Sequence, residues 1–129
     1  MTVTYGMGKV VPLAFDEAVE RTRAALQQEG FGVLCDIDVA ATLKAKLGVE
    51  RDDYVILGAC NPPLAHKALE AEQELGLLLP CNVIVYATDD GTRVSAIDPD
   101  VMLGMTDNPA LAEVAREVRA RLERVIDRL

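Results

Sequence analysis

Apolar positions along this chain repeat with two different periods. Near the start, Val3, Tyr5 and Met7 alternate with Thr2, Thr4, Gly6 and Gly8. A period of two marks a half-buried strand, which Pro12 ends. From Phe15 to Glu29 the period changes, and Phe15, Ala18, Val19, Thr22 and Leu26 share one face at helical spacing. Ala14 is a poor N-cap for this helix. Its stop is stronger: Gly30 suits the left-handed position after the last turn, and Phe31 can fold back on Leu26. A second strand is expected over Phe31 to Ile37, with Phe31, Val33, Cys35 and Ile37 facing one way and Cys35 packed as a small core residue.

Asp38 can cap a short helix carrying Val39, Leu43 and Leu47, closed by Gly48. Tyr54 to Ala59 is apolar on both faces and reads as a central strand. A helix begins after Asn61, with Leu64, Ala65, Ala68 and Leu69 as its apolar face. Gly76 to Pro80 reads as an extended return. Val83 to Ala87 and Thr92 to Ile97 flank Asp89-Asp90-Gly91, a strong hairpin signal. Asp98-Pro99 then caps and opens a short turn of helix carrying Val101, Met102 and Leu103.

The last helix is expected from Asn108 to about Arg128. Asn108 caps it and Pro109 fills its first position. Leu111, Val114, Ala115, Val118, Leu122, Val125 and Ile126 make an unbroken stripe, a core or dimer face, while Glu117 and Arg121 pair at i,i+4 on the other side. The order β-α-β-(α)-β-α-β-β-α gives one α+β domain, residues 1–129. Its mainly antiparallel five-stranded sheet carries two long helices on one face and short inserted helices. The other face needs a cover, and a homodimer is the ordinary solution.

Composition excludes function classes without selecting one. The chain has 129 residues, 13 Lys and Arg against 21 Asp and Glu, and a formal charge of −8. Such a surface repels nucleic acid and anionic membranes. Three tyrosines, two phenylalanines and no Trp give no base-stacking platform. No apolar run approaches the roughly 18 residues of a membrane span, and the N-terminus lacks a signal-peptide pattern. A cytoplasmic protein is expected, and three Cys do not make a disulfide framework. No dinucleotide loop, P-loop, HExxH, CxxC or GxSxG motif occurs, and His66 is the single His. No cofactor is identified.

Candidate chemistry concentrates in two segments. Cys60-Asn61-Pro62-Pro63 joins a strand end to a helix start, where the helix dipole can lower the pKa of the Cys60 thiol. Pro80-Cys81-Asn82 opens the next strand and repeats the Cys-Asn pair. An antiparallel pairing of these two strands puts Cys60 and Cys81 at one end of the sheet, in one pocket. Cys60, Asn61, Cys81 and Asn82, with His66 one turn into the helix, are the candidate ligand-binding residues. Cys60 and Cys81 are also metal-ligand candidates, short of the three or four ligands that such a site needs.

Several stretches are similar to the domain-of-unknown-function family numbered 302. They are Gly30-Phe31-Gly32-Val33-Leu34, Ile37-Asp38-Val39 with Ala41 to Lys44, Leu57 to Pro62, Ala65-His66, Leu78 to Val83, and Ala96 to Pro99. The resemblance spans nearly the whole chain. It implies a TATA-box-binding-protein-like fold, β-α-β(4)-α, often dimeric, with no accepted catalytic residues to carry over. Positions matching Cys60 and Cys81 belong to the family pattern. That of Cys35 commonly holds Thr, which puts Cys35 outside any shared site. DNA binding does not follow from the fold. The leading expectation is a non-catalytic homodimeric module that binds a small ligand or metal. The alternatives are a thiol redox protein or Cys-dependent enzyme, and a purely structural or interaction domain.

Overall fold

The computed structural model describes residues 3–129. Five strands form one antiparallel sheet in the order β1-β5-β4-β3-β2. They are β1 Gly6–Val11, β2 Gly32–Asp38, β3 Tyr54–Cys60, β4 Cys81–Thr88 and β5 Gly91–Ile97. Strands β2 to β5 make a meander, and β1 adds beside β5. The helices are α1 Phe15–Gln28, α2 Val39–Leu47, α3 Pro62–Ala71, α4 Pro99–Gly104 and α5 Ala112–Asp127, with 3-10 turns at Gln73–Leu78 and Pro109–Leu111. This is the expected β-α-β(4)-α order with short helices inserted. One sheet face, carrying Val55, Leu57, Ala59, Val83, Val85, Val94 and Ala96, is buried in the core with α1 and α5. The stripe of α5 is core: Val118, Leu122, Val125 and Ile126 are all buried.

Local signals explain most element ends. After α1 the amide of Phe31 donates to the Leu26 carbonyl at 2.9 Å, and that of Gly30 to Gln27 at 3.1 Å. This is the Schellman pattern, with Gly30 at φ +83° and the Phe31 and Leu26 side chains both buried. The Asp38 carboxylate accepts from the Ala41 amide at 2.9 Å, and Gly48 closes α2 at φ +67°. A pair of arginines ties α5 to the end of α1. Arg124 Nε lies 2.9 Å from Glu29 Oε1 and Arg128 Nη2 2.8 Å from Glu29 Oε2, while Arg121 donates to the Glu29 carbonyl at 3.0 Å. Arg128 first and Arg124 second hold the Glu29 carboxyl below the usual carboxylate range.

Four expectations change. Strand β1 starts at Gly6 because its partner β5 ends opposite it at Ile97, where Asp98-Pro99 turns the chain into α4. Thr2, counted in the alternating pattern, lies outside the described residues. The last helix, expected from Asn108, begins at Ala112, because Asn108 caps the 3-10 turn Pro109–Leu111 ahead of it. Strand β3 is the inner strand expected, with Tyr54 and Ile56 on the uncovered face. The run expected to be extended, Gly76 to Pro80, begins inside a 3-10 turn, Gln73–Leu78. Its spacing of three buries Leu75 and leaves Leu77 82 % exposed.

The fourth change concerns Cys35. A β-bulge between Val33 and Cys35 adds Leu34 as an extra residue on β2. Beyond it the alternation reverses, so Cys35 and Ile37 pair with Gly58 and Ile56 on the uncovered face. Cys35 is exposed rather than core. Its sulfur lies over Gly58, beside Pro80, in the space that a Cβ on Gly58 would need.

Candidate functional site

Strand β3 ends at Cys60 and β4 begins at Cys81, paired antiparallel with Ala59 opposite Cys81. The two cysteines are therefore diagonal neighbours at one end of the sheet. Between them the chain leaves along α3 and returns through the 3-10 turn and a cis Leu79–Pro80 bond. Asn61 starts α3 by accepting the Leu64 amide on its Oδ1 at 3.3 Å, with two prolines in the first turn. Asn61 is itself 8 % exposed, and its Nδ2 lies where a Cβ on Gly30 would come within 3.0 Å. Glycine is thus needed at position 30 twice, for its φ and for this approach.

Cys60, Asn61 and Cys81 line one cavity of about 350 Å³. That volume falls within the range of small-molecule sites, roughly 300–1,000 Å³. The rest of the wall is apolar. Leu64, Ala65 and Leu69 come from α3, Leu75 from the 3-10 turn, Met102 from α4 and Val118 from α5. Leu34, the extra residue of the bulge, joins the wall and is 69 % exposed, and Leu69 of the same wall is 39 % exposed. No Lys, Arg, His, Asp or Glu lines this space.

The thiols respond to that wall. Burial pushes the Cys60 thiol up. Burial, and secondarily the negative charge that Cys60 would carry, pushes Cys81 up to about 11. This reverses the expectation of a lowered Cys60 pKa, because burial disfavours the charged thiolate. Both sulfurs are protonated near neutral pH and act as small, weakly polar groups.

The structure does not bring all the sequence candidates together. Asn82 is exposed on the opposite sheet face, one residue out of phase with Cys81. The His66 side chain is 77 % exposed on the outer side of α3, with Nε2 2.6 Å from Glu70 Oε1. Among the described residues no group of three or more His, Cys, Asp or Glu is placed to hold a metal ion. Cys60 and Cys81 alone leave a tetrahedral ion two ligands short. Sequence reasoning missed the apolar wall. Its one visible signal was the width of the α3 stripe over Leu64, Ala65, Ala68 and Leu69.

The model of a family described as domain of unknown function DUF302 matches residues 7–129. A crystal structure of an uncharacterized conserved protein, DUF302, from Bacillus stearothermophilus is similar, with a TM-score of 0.90 and 34 % sequence identity over 98 % of this chain and 98 % of that one. No curated protein matches.

Proposed function

The chain belongs to the DUF302 family of domains of unknown function, and from that premise we propose that it is a non-catalytic binding domain for a small, uncharged, largely apolar molecule. The observation that carries this reading is the cavity wall, carbon almost throughout, with two protonated thiols and Asn61 as its polar groups. An apolar body fills such a space by the hydrophobic effect, and a charged one would be desolvated without a partner. A carbonyl or hydroxyl acceptor suits the Asn61 amide and the thiol hydrogens.

A thiol enzyme or redox protein has less support. Such chemistry needs a thiolate and an adjacent base, whereas both pKa values are raised and the single His is on the outer side of α3. A homodimer forms the second part of the proposal. The bulge places Cys35 and Ile37 beside Ile56 on the β2–β3 half of the uncovered face, an apolar strip that a second copy would cover.

The test compares three head groups on one eight-carbon chain: octanamide, octanoate and octylamine. A ligand that binds only the folded chain raises its thermal stability, the more so the higher its concentration relative to Kd. The proposal expects octanamide to raise the melting temperature and the two charged analogues to leave it unchanged. A rise with octanoate or octylamine matching that with octanamide, or no rise with any, contradicts it.

A further inference from the structure

A second concavity, of about 340 Å³, opens on the uncovered sheet face, away from the cavity that Cys60 and Cys81 line. Its position follows from register. Arg93 of β5 pairs with Tyr86 of β4, which pairs with Tyr54 of β3. The two tyrosine rings stack at 5.2 Å between centroids, 10° from parallel. Beyond them Arg51 sits 5.1 Å from the Tyr54 ring and donates to the Asp52 carbonyl at 3.3 Å. One row across the sheet thus reads Arg-Tyr-Tyr-Arg. Beside it, Ser95 and Ile84 form the next row and Asn82 the one after. Strand β1 sets Gly6, Gly8 and Val10 opposite Ile97, Ser95 and Arg93, and Val3 and Tyr5 ahead of it complete the lining.

The polar groups of this groove are uncommitted. Among the described residues, Arg93 makes no ion pair, and the side chains of Arg93, Ser95 and Asn82 make no hydrogen bonds. No Asp or Glu lines the groove. In a chain of net charge −8, where most surface arginines are paired with carboxylates, a free guanidinium beside stacked rings is a local exception.

We propose that this groove is a second binding site, one that takes an aromatic monocarboxylate. Arg93 meets the carboxylate with its planar fork, Ser95 and Asn82 donate to its remaining lone pairs, and the Tyr54–Tyr86 pair and Ile84 support the ring. A single guanidinium lines the groove, since Arg51 is engaged at the far end of the row. One negative charge is balanced there, and a phosphate dianion would be left half compensated.

The experiment titrates the full chain with 2-naphthoate and follows the tyrosine ring resonances by NMR. Tyr54 and Tyr86 are expected to shift and saturate. The uncharged isostere 2-naphthamide is expected to bind at least about tenfold more weakly, the size of a lost charge-assisted hydrogen bond. Arg93→Gln should erase the difference between the two ligands, and Arg93→Lys should keep part of it. The ligand comparison on the unmodified chain decides the matter even if a variant fails to fold. Equal binding of naphthoate and naphthamide overturns the proposal, as does an absence of shifts at millimolar ligand. Tighter binding of 2-naphthyl phosphate than of naphthoate overturns the monocarboxylate. Tyr54 and Tyr86 signals that change with protein concentration alone put a second copy on this groove and overturn the small-molecule site.

Discussion

Cys81 sits diagonally across the β3–β4 pair from Cys60, close enough that a negative charge on Cys60 helps hold the Cys81 proton, with burial the larger cause. The pair marks the polar end of an otherwise apolar cavity, and its titration is a property of folding that can be measured. A buried acid whose pKa is raised contributes stability that is complete below its ordinary pKa and is lost as pH rises through the folded value. For Cys81 that window runs from 9.0 to about 11. The loss amounts to roughly 2–3 kcal/mol. Urea unfolding across this window should show the decline in the wild type and a shallower one in Cys81→Ala. Parallel slopes would contradict the burial of this thiol.

Thiol accessibility should follow position in the fold. Cys35 is exposed, Cys60 partly buried and Cys81 buried. Iodoacetamide labelling read by mass spectrometry should therefore modify Cys35 first and Cys81 last. Cys35→Ser should change stability by less than about 0.5 kcal/mol, as at an ordinary surface position.

The Glu29 clamp gives the opposite pH dependence. Its carboxyl is held low by Arg128 and Arg124. That stability is present above the ordinary value of 4.5 and is lost as pH falls through the lower folded value. Glu29→Gln should cost about 1.5–3 kcal/mol near neutral pH, the range for hydrogen bonds to charged groups. It should also flatten the acid limb of the stability curve, measured by urea midpoints from about pH 6 to about pH 3.

Local signals in the sequence were read correctly where one element decides its own ends. Gly30, Asp38, Gly48 and Asn61 sit at the caps their chemistry implies, whereas Asn108 caps the 3-10 turn ahead of α5 and not α5 itself. The co-location of Cys60 and Cys81 was also legible, because a strand end and the next strand's start meet when the pair is antiparallel. Cys35 was misplaced because a single extra residue, Leu34, reverses every side chain after it, and no motif in β2 announces the bulge. The return before β4 differs from its expected form because its three leucines, Leu77 to Leu79, fit an extended run and a 3-10 turn alike. The Glu29 clamp joins residues 95 and 99 positions apart, a pairing that neither helix reveals alone.

The central claim is that the cavity beside Cys60, Asn61 and Cys81 holds an uncharged apolar molecule. The most direct measurement is a fluorescence titration with N-phenyl-1-naphthylamine, an uncharged apolar probe, on the wild type and on Ala65→Phe. Ala65 lines the cavity from α3, so a phenyl group there fills the space from a helix that is otherwise unchanged, which circular dichroism would verify. The account predicts saturable emission with one probe per wild-type chain, and binding at least about tenfold weaker in Ala65→Phe, in line with the loss of a buried aromatic contact. Emission that never saturates, or equal affinity in the two proteins, would contradict it.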